Sequence, residues 1–193
     1  MSDARATDRD SAEPQQWHRC FIALAPDAPT RHALATLEVP PRARRVPQAQ
    51  LHLTVAFIGA MSFEQGDALA RGLAIHAPHA RPMPRAEVTK LDYWPKRATP
   101  RLMVAVLAMS EAFAALDRRV RALLGEAGLP LDARAFRPHV TLARFPRDAA
   151  AVPAIGEDTA LPAPLRFESL VLYSSTLAKQ GARYEALAVV KLD

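Results

Sequence analysis

The chain contains one cysteine, Cys20, among 193 residues. No internal disulfide can form, and a zinc site built on several cysteines is excluded. Cys20 lies within the apolar run Cys20-Phe21-Ile22-Ala23-Leu24, a setting that suits a buried core thiol rather than a nucleophile. Lysine is also scarce. Of 25 basic residues only Lys90, Lys96, Lys179 and Lys191 are lysines, so the formal charge of +5 rests on arginine. Arginine's planar fork matches phosphate oxygens, so the charge permits a nucleic-acid partner, although an arginine-rich solvated surface accounts for it equally well. No apolar run approaches the roughly 18 residues of a membrane span, and Met1 to Gln16 lacks the apolar core of a signal peptide. The expectation is a soluble, cytoplasmic protein with no membrane partner.

What is present is enough apolar material, 50% of the chain, for one sizeable core. Residues 1–16 mix charged and polar types without apolar periodicity, which predicts a disordered tail before a single, bilobed domain over 17–193. A strand is expected at 17–25, a short helix at 28–37 after Pro26 and Asp27, and a proline- and arginine-rich loop to Gln50. The apolar run 51–59 reads as a strand. Ser62 and Gln65 form a capping box for a helix to about residue 76, with Ala68, Leu69, Leu73 and Ile75 as its apolar stripe and prolines 78, 82 and 84 beyond its end. Strands follow at 86–92 and 101–108. A stronger helix starts at Ser110: Phe113, Leu116, Val120, Leu123 and Leu124 share a face, arginines 118, 119 and 121 point to solvent, and Gly128 ends it. Strands at 138–144, 166–173 and 183–190 complete an α+β pattern with largely antiparallel sheets.

No short-period repeat occurs, but one motif echoes at long range. Leu51-His52-Leu53-Thr54-Val55-Ala56-Phe57 and Pro138-His139-Val140-Thr141-Leu142-Ala143-Arg144 both contain His-x-Thr-x-Ala in an apolar setting. Composition predicts roughly 0.3 His-x-Thr matches by chance, so two arise about once in thirty such chains. Strand alternation puts His52, Thr54 and Ala56 on one face and Leu53, Val55 and Phe57 on the other. The same holds for His139, Thr141 and Ala143 against Val140 and Leu142. A lone strand histidine is usually structural; a matched pair, each with a hydroxyl beside it, suits acid-base chemistry on one small anion. With no carboxylate in either motif and threonine a poor transition-metal ligand, a metal site is not expected. His18, His32, His76 and His79 recur in no matched context and receive no role.

These two motifs resemble the signature of the two-histidine (2H) phosphoesterase superfamily, in the branch of bacterial RNA 2′,3′-cyclic phosphodiesterases, also called 2′-5′ RNA ligases. The likeness extends to Arg19-Cys20-Phe21-Ile22-Ala23 as an opening strand and to Ser175-Thr176-Leu177 with Gly181-Ala182-Arg183-Tyr184 as a closing hairpin. The loop Arg45-Val46-Pro47-Gln48-Ala49-Gln50 departs from the family's usual pattern before the first motif. The resemblance implies a bilobal α+β fold, two antiparallel sheets related by a pseudo-twofold axis, with the motifs lining the cleft between lobes. It implies an enzyme without cofactor or metal that hydrolyses RNA 2′,3′-cyclic phosphate ends to 2′-phosphates, reversibly as 2′-5′ ligation; a monomer is expected. His52 would be the proton donor, His139 the proton acceptor, and Thr54 and Thr141 the phosphate binders. Expected partners are RNA with cyclic phosphate ends, tRNA fragments among them, or small cyclic nucleotides; a non-catalytic module that holds RNA ends is the remaining alternative. Arg137 and Arg144 are candidates for substrate contact. Regular alternation places Arg137 on the face of His139 and Arg144 opposite, whereas the resemblance favours Arg144, which a bend at the strand end could turn into the cleft.

Overall fold

A computed structural model describes residues 16–76, 85–156, 159–178 and 181–192. The elements in chain order are β1 (Gln16–Pro26), α1 (Ala28–Thr36), β2 (Arg44–Arg45), a 3-10 turn at Gln48–Gln50, β3 (Leu53–Ser62), α2 (Phe63–His76), β4 (Val88–Trp94), β5 (Leu102–Leu107), α3 (Glu111–Glu126), β6 (His139–Arg144), β7 (Phe167–Ala178) and β8 (Gly181–Lys191). Residues 1–15 of the expected tail, the prolines at 78, 82 and 84, and His79 lie outside the described residues, and Gln16, expected in the tail, begins β1 by pairing with Ser62.

All pairings are antiparallel, in the order β4-β5-β6-β3-β1-β7-β8, with β2 alongside β6. The two expected sheets are the halves β4-β5-β6 and β3-β1-β7-β8. They join at one registered pair, Leu53 opposite Val140, so hydrogen bonding runs through one continuous sheet. Each half contains a strand-helix-strand unit, β1-α1-β3 in one and β5-α3-β6 in the other, whose two strands pair with each other. That repetition is the pseudo-twofold relation, and it puts a motif strand at the inner edge of each half.

Local chemistry sets the helix ends. Asp27 caps α1 by accepting from the Thr30 amide at 2.9 Å. Ser62 and Gln65 close the capping box, each side chain accepting from the other's amide at 3.1 and 3.0 Å. Ser110 caps α3 through the Phe113 amide at 3.2 Å. At its far end Gly128 adopts φ +64°, and the amides of Gly128 and Leu129 return to the carbonyls of Gly125 and Leu124 at 3.0 and 2.8 Å. The α3 face Phe113, Leu116, Val120, Leu123 and Leu124 is buried as expected. On α2 only Leu69 and Leu73 of the expected stripe are buried; Ile75 is 65% exposed, because two residues past Leu73 is about 200° around a helix. Both helices pack into one core cluster with Leu53, Val55, Val140 and Leu142. The opposite face of the motif strands is left for chemistry.

The candidate active site at the seam

At the seam, Leu53 and Val140 are fully buried, and their antiparallel register places His52 across from Thr141 and Thr54 across from His139 on the other face. All four are half-buried. The structure therefore brings both motifs together, each histidine facing the other motif's threonine.

The two rings are held alike. The Nδ1 of His52 lies 2.7 Å from the carbonyl oxygen of Gln50, and the Nδ1 of His139 lies 2.7 Å from that of Arg137, two residues back in both cases. A carbonyl only accepts, so each Nδ1 carries the hydrogen and each neutral ring keeps its Nε2 lone pair. Among the described residues neither Nε2 and neither threonine hydroxyl bonds another side chain or backbone group. An aromatic ring packs on each imidazole. Phe21 and Tyr184 lie 5.0 and 5.4 Å from His52 between ring centroids, and Trp94 lies 4.4 Å from His139. Sequence reasoning assigned none of these aromatics. Their distance along the chain hid them, although Phe21 in the opening strand and Tyr184 in the closing hairpin were both in view, and Trp94 lies two residues past the end expected for its strand.

Burial holds the pKa of His52 below the ordinary imidazole value, with the charges of Arg144 and His139 adding to it and the Gln50 hydrogen bond opposing it. Burial likewise lowers His139, with the Arg137 charge contributing and its carbonyl bond opposing. Cys20 is buried, and burial alone pushes its thiol up to about 11, so it is a core group and no nucleophile.

The strands do not alternate evenly, which corrects one expectation and decides another. Against β1, residues Ile22 and Ala23 pair with Ala56 and Thr54, leaving Val55 as an extra residue. Against β5, residues Met103 and Val104 pair with Ala143 and Thr141, leaving Leu142 extra. Each motif strand thus carries a β-bulge three residues after its histidine, and facing reverses beyond it. Ala56 and Ala143 therefore turn toward the core, not toward the histidines as alternation predicted. Phe57 is 59% exposed and joins Phe21, with ring centroids 6.4 Å apart, instead of packing in the core. Arg144 holds the equivalent position in β6 and turns to the histidine face, where its charge acts on His52. Arg137 is exposed over Trp94, its guanidinium carbon 4.2 Å from the ring centroid, beside His139. Both arginines flank the site, one for each histidine.

Other cations serve the fold. Arg45 donates to the carbonyls of Ala35 and Leu37, both at 2.7 Å, and so caps the end of α1. On α3, Arg118 pairs with Glu111 at 2.7 Å on the expected solvated face, whereas Arg121 does not point to solvent: it pairs with Asp117 at 2.9 Å and donates to the carbonyls of Asp132 and Arg134 at 2.7 and 2.9 Å, tying the helix to the loop before β6. His18 lies in β1, His32 in α1 and His76 at the end of α2, away from the motif strands in sequence and unmatched in setting. Among the described residues no group of three His, Cys, Asp or Glu side chains is placed to hold a metal ion, and no helix is long and apolar enough to cross a membrane.

The family model of the 2′-5′ RNA ligase superfamily matches residues 25–178, a span that includes both motifs. The chain belongs to that superfamily. A curated member, an RNA 2′,3′-cyclic phosphodiesterase of Thermus thermophilus, is 33% identical over 183 residues, covering 88% of this chain and 87% of the relative. Among solved superfamily structures, Escherichia coli LigT complexed with 3′-AMP superposes with a TM-score of 0.70 at 25% identity, covering 91% of this chain and 98% of LigT. A solved protein of Thermus thermophilus gives a TM-score of 0.70 at 30% identity, covering 90% of this chain and 97% of its own. The sheet-dominated α+β fold is that of these superfamily members.

Proposed function

We propose that residues 17–193 act as a single bilobal phosphodiesterase domain that opens RNA 2′,3′-cyclic phosphate ends to 2′-phosphomonoesters without a metal. The observation that carries this reading is the mirrored anchoring of His52 and His139. Each ring has its Nδ1 tied to a carbonyl 2.7 Å away, so that two Nε2 atoms of one chemistry are offered beside one seam.

Opening the ring needs a nucleophilic water, a protonated leaving oxygen and stabilised non-bridging oxygens. In the proposed cycle, neutral His139 takes a proton from water at Nε2 while water's oxygen bonds to phosphorus. The bond from phosphorus to the ribose 3′ oxygen breaks, and that oxygen takes its proton from Nε2 of protonated His52. The hydroxyls of Thr54 and Thr141 donate to the non-bridging oxygens, and Arg144 adds positive charge on the same face. Family membership and the curated relative's activity support the substrate class. The chain's one cysteine, held as a buried thiol, suits a reducing compartment such as the cytoplasm.

The test is hydrolysis of an oligoribonucleotide ending in a 2′,3′-cyclic phosphate with EDTA in excess. Wild type should release a 2′-phosphate end, and His52→Ala and His139→Ala should each lose about 10²- to 10⁴-fold in kcat while remaining folded. Retention of the wild-type rate in either variant, or loss of wild-type activity in EDTA, would overturn the mechanism.

A further inference from the structure

The residue two places before each motif histidine is used twice. The Arg137 carbonyl accepts from Nδ1 of His139 at 2.7 Å, and the Arg137 guanidinium lies 4.2 Å from the centroid of Trp94, the ring packed on that histidine at 4.4 Å. The Gln50 carbonyl accepts from Nδ1 of His52 at 2.7 Å, and the Gln50 side-chain Nε2 donates to the Ala182 carbonyl at 2.8 Å. Ala182 lies two residues before Tyr184, whose ring stands edge-on to His52 with centroids 5.4 Å apart and an interplanar angle of 85°. In each half, one residue thus holds the imidazole through its backbone and reaches through its side chain to the aromatic neighbour or to the strand that carries it.

On the His52 side the sheet alone does not fix that neighbour. Among the described residues β8 pairs with β7 only, so its ladder reaches β3 by way of β7 and β1, and slack at any of three strand boundaries would carry Tyr184 off the ring. Phe21 and Tyr173 lie 5.1 and 5.9 Å from Tyr184 between ring centroids, but aromatic contacts tolerate sliding that a hydrogen bond of normal length does not. The Gln50 amide ties the hairpin directly to the start of the motif strand. Its own end is firm, because the Gln50 backbone amide closes the 3-10 turn onto the Pro47 carbonyl at 2.8 Å. The hairpin also sits close on this loop. Gly181 adopts φ +127°, and a Cβ there would lie 3.3 Å from Nη1 of Arg44.

We propose that Gln50 is a positioning residue whose side-chain amide locks the β7-β8 hairpin in place, so that Tyr184 covers His52 and Nε2 is held toward the phosphate. The inference rests on the phosphodiesterase reading above. The Gln50 carbonyl sets which nitrogen carries the hydrogen, and Tyr184 restricts rotation of the ring; the one residue governs both. Without the amide tie the hairpin moves away, and the ring gains solvent and orientational freedom.

The test compares Gln50→Met, which keeps the length of the side chain and removes its donor, with Gln50→Ala, Tyr184→Ala and the double variant of Gln50→Met with Tyr184→Ala. The Cε1 proton resonance of His52, assigned by its loss in His52→Ala, is followed by NMR against pH without substrate, and hydrolysis of an oligoribonucleotide with a 2′,3′-cyclic end is measured in parallel. The charges that act on His52 are those of Arg144 and His139, which these substitutions leave in place, so a shift reads the solvation of the ring. Both Gln50 variants should raise the His52 midpoint toward the ordinary imidazole value, move that of His139 less, and lower kcat about tenfold with KM near wild type. Tyr184→Ala should raise the His52 midpoint likewise, and the double variant should match Tyr184→Ala instead of compounding it. An unmoved His52 midpoint in a folded Gln50 variant, or losses in kcat that multiply in the double variant, overturns the positioning role. Failure of wild type to hydrolyse the cyclic end overturns instead the phosphodiesterase reading beneath it, while the midpoints, read without substrate, still decide whether Gln50 holds Tyr184 on the ring.

Discussion

Each imidazole sits between a backbone carbonyl that fixes its tautomer and an arginine that opposes its protonation. The sign of the resulting pH dependence follows. The proposed cycle needs one ring protonated and one neutral, and in the free protein both titrate below the ordinary value of about 6.5 because burial and positive neighbours disfavour the cationic form. The two limbs belong to the coupled pair rather than to either ring. The profile of kcat/KM against pH should therefore be a bell whose maximum lies below about pH 6.5. A bound phosphate anion favours protonation, so the kcat bell should sit at higher pH. Measuring both profiles on a cyclic-phosphate substrate checks this; a kcat/KM maximum above pH 7 would show that burial does not govern the pair. The identities of His52 and His139 were legible in the sequence because an alternating motif occurred twice. Phe21, Trp94 and Tyr184 carry no motif, and their approach to the rings depends on strands that are neighbours only in the folded sheet.

At the scale of elements, the positions with local chemistry were the readable ones. The caps at Asp27, Ser62 and Ser110 and the stop at Gly128 lie where the sequence signals them, since capping needs only residues three or four apart. Gly128 is held at φ +64°, where a Cβ crowds the following carbonyl, and no neighbouring atom lies near enough to add a clash. Gly128→Ala should thus cost about 1 kcal/mol from backbone strain alone, read as a lower urea midpoint with unchanged slope and unchanged turnover. The bulges at Val55 and Leu142 are the counter-example. Nothing in His-x-Thr-x-Ala announces an extra residue, because a bulge is a mismatch between two strands and one strand's sequence contains only half of it. The consequence reaches the candidate site: the bulge turns Arg144 toward the histidines and leaves Phe57 on the surface.

Across the whole molecule, the two halves join through Leu53 and Val140, both fully buried, directly between the two histidine-threonine pairs. Leu53→Ala should lose about 2–5 kcal/mol of stability through the cavity it leaves. It should also lower kcat under conditions where the variant remains folded, because the same pair sets the spacing of His52 and Thr54 against His139 and Thr141. Denaturant titration and turnover on one preparation test this; a stability loss with wild-type kcat would show that the site is held by something other than the seam.

The sequence by itself determined which side chains could move protons and hold a phosphate, where helices begin and end, and that strands and helices would build antiparallel sheets. Those properties depend on residue type and on spacings of two to four along the chain. Only the tertiary structure decided that the two motif strands meet at one pair, that bulges reverse their faces and turn Arg144 toward His52, and that each histidine receives an aromatic ring from elsewhere in the chain. Those outcomes depend on register between segments as far apart in the chain as His52 and Tyr184, and register is set by how the core packs as a whole.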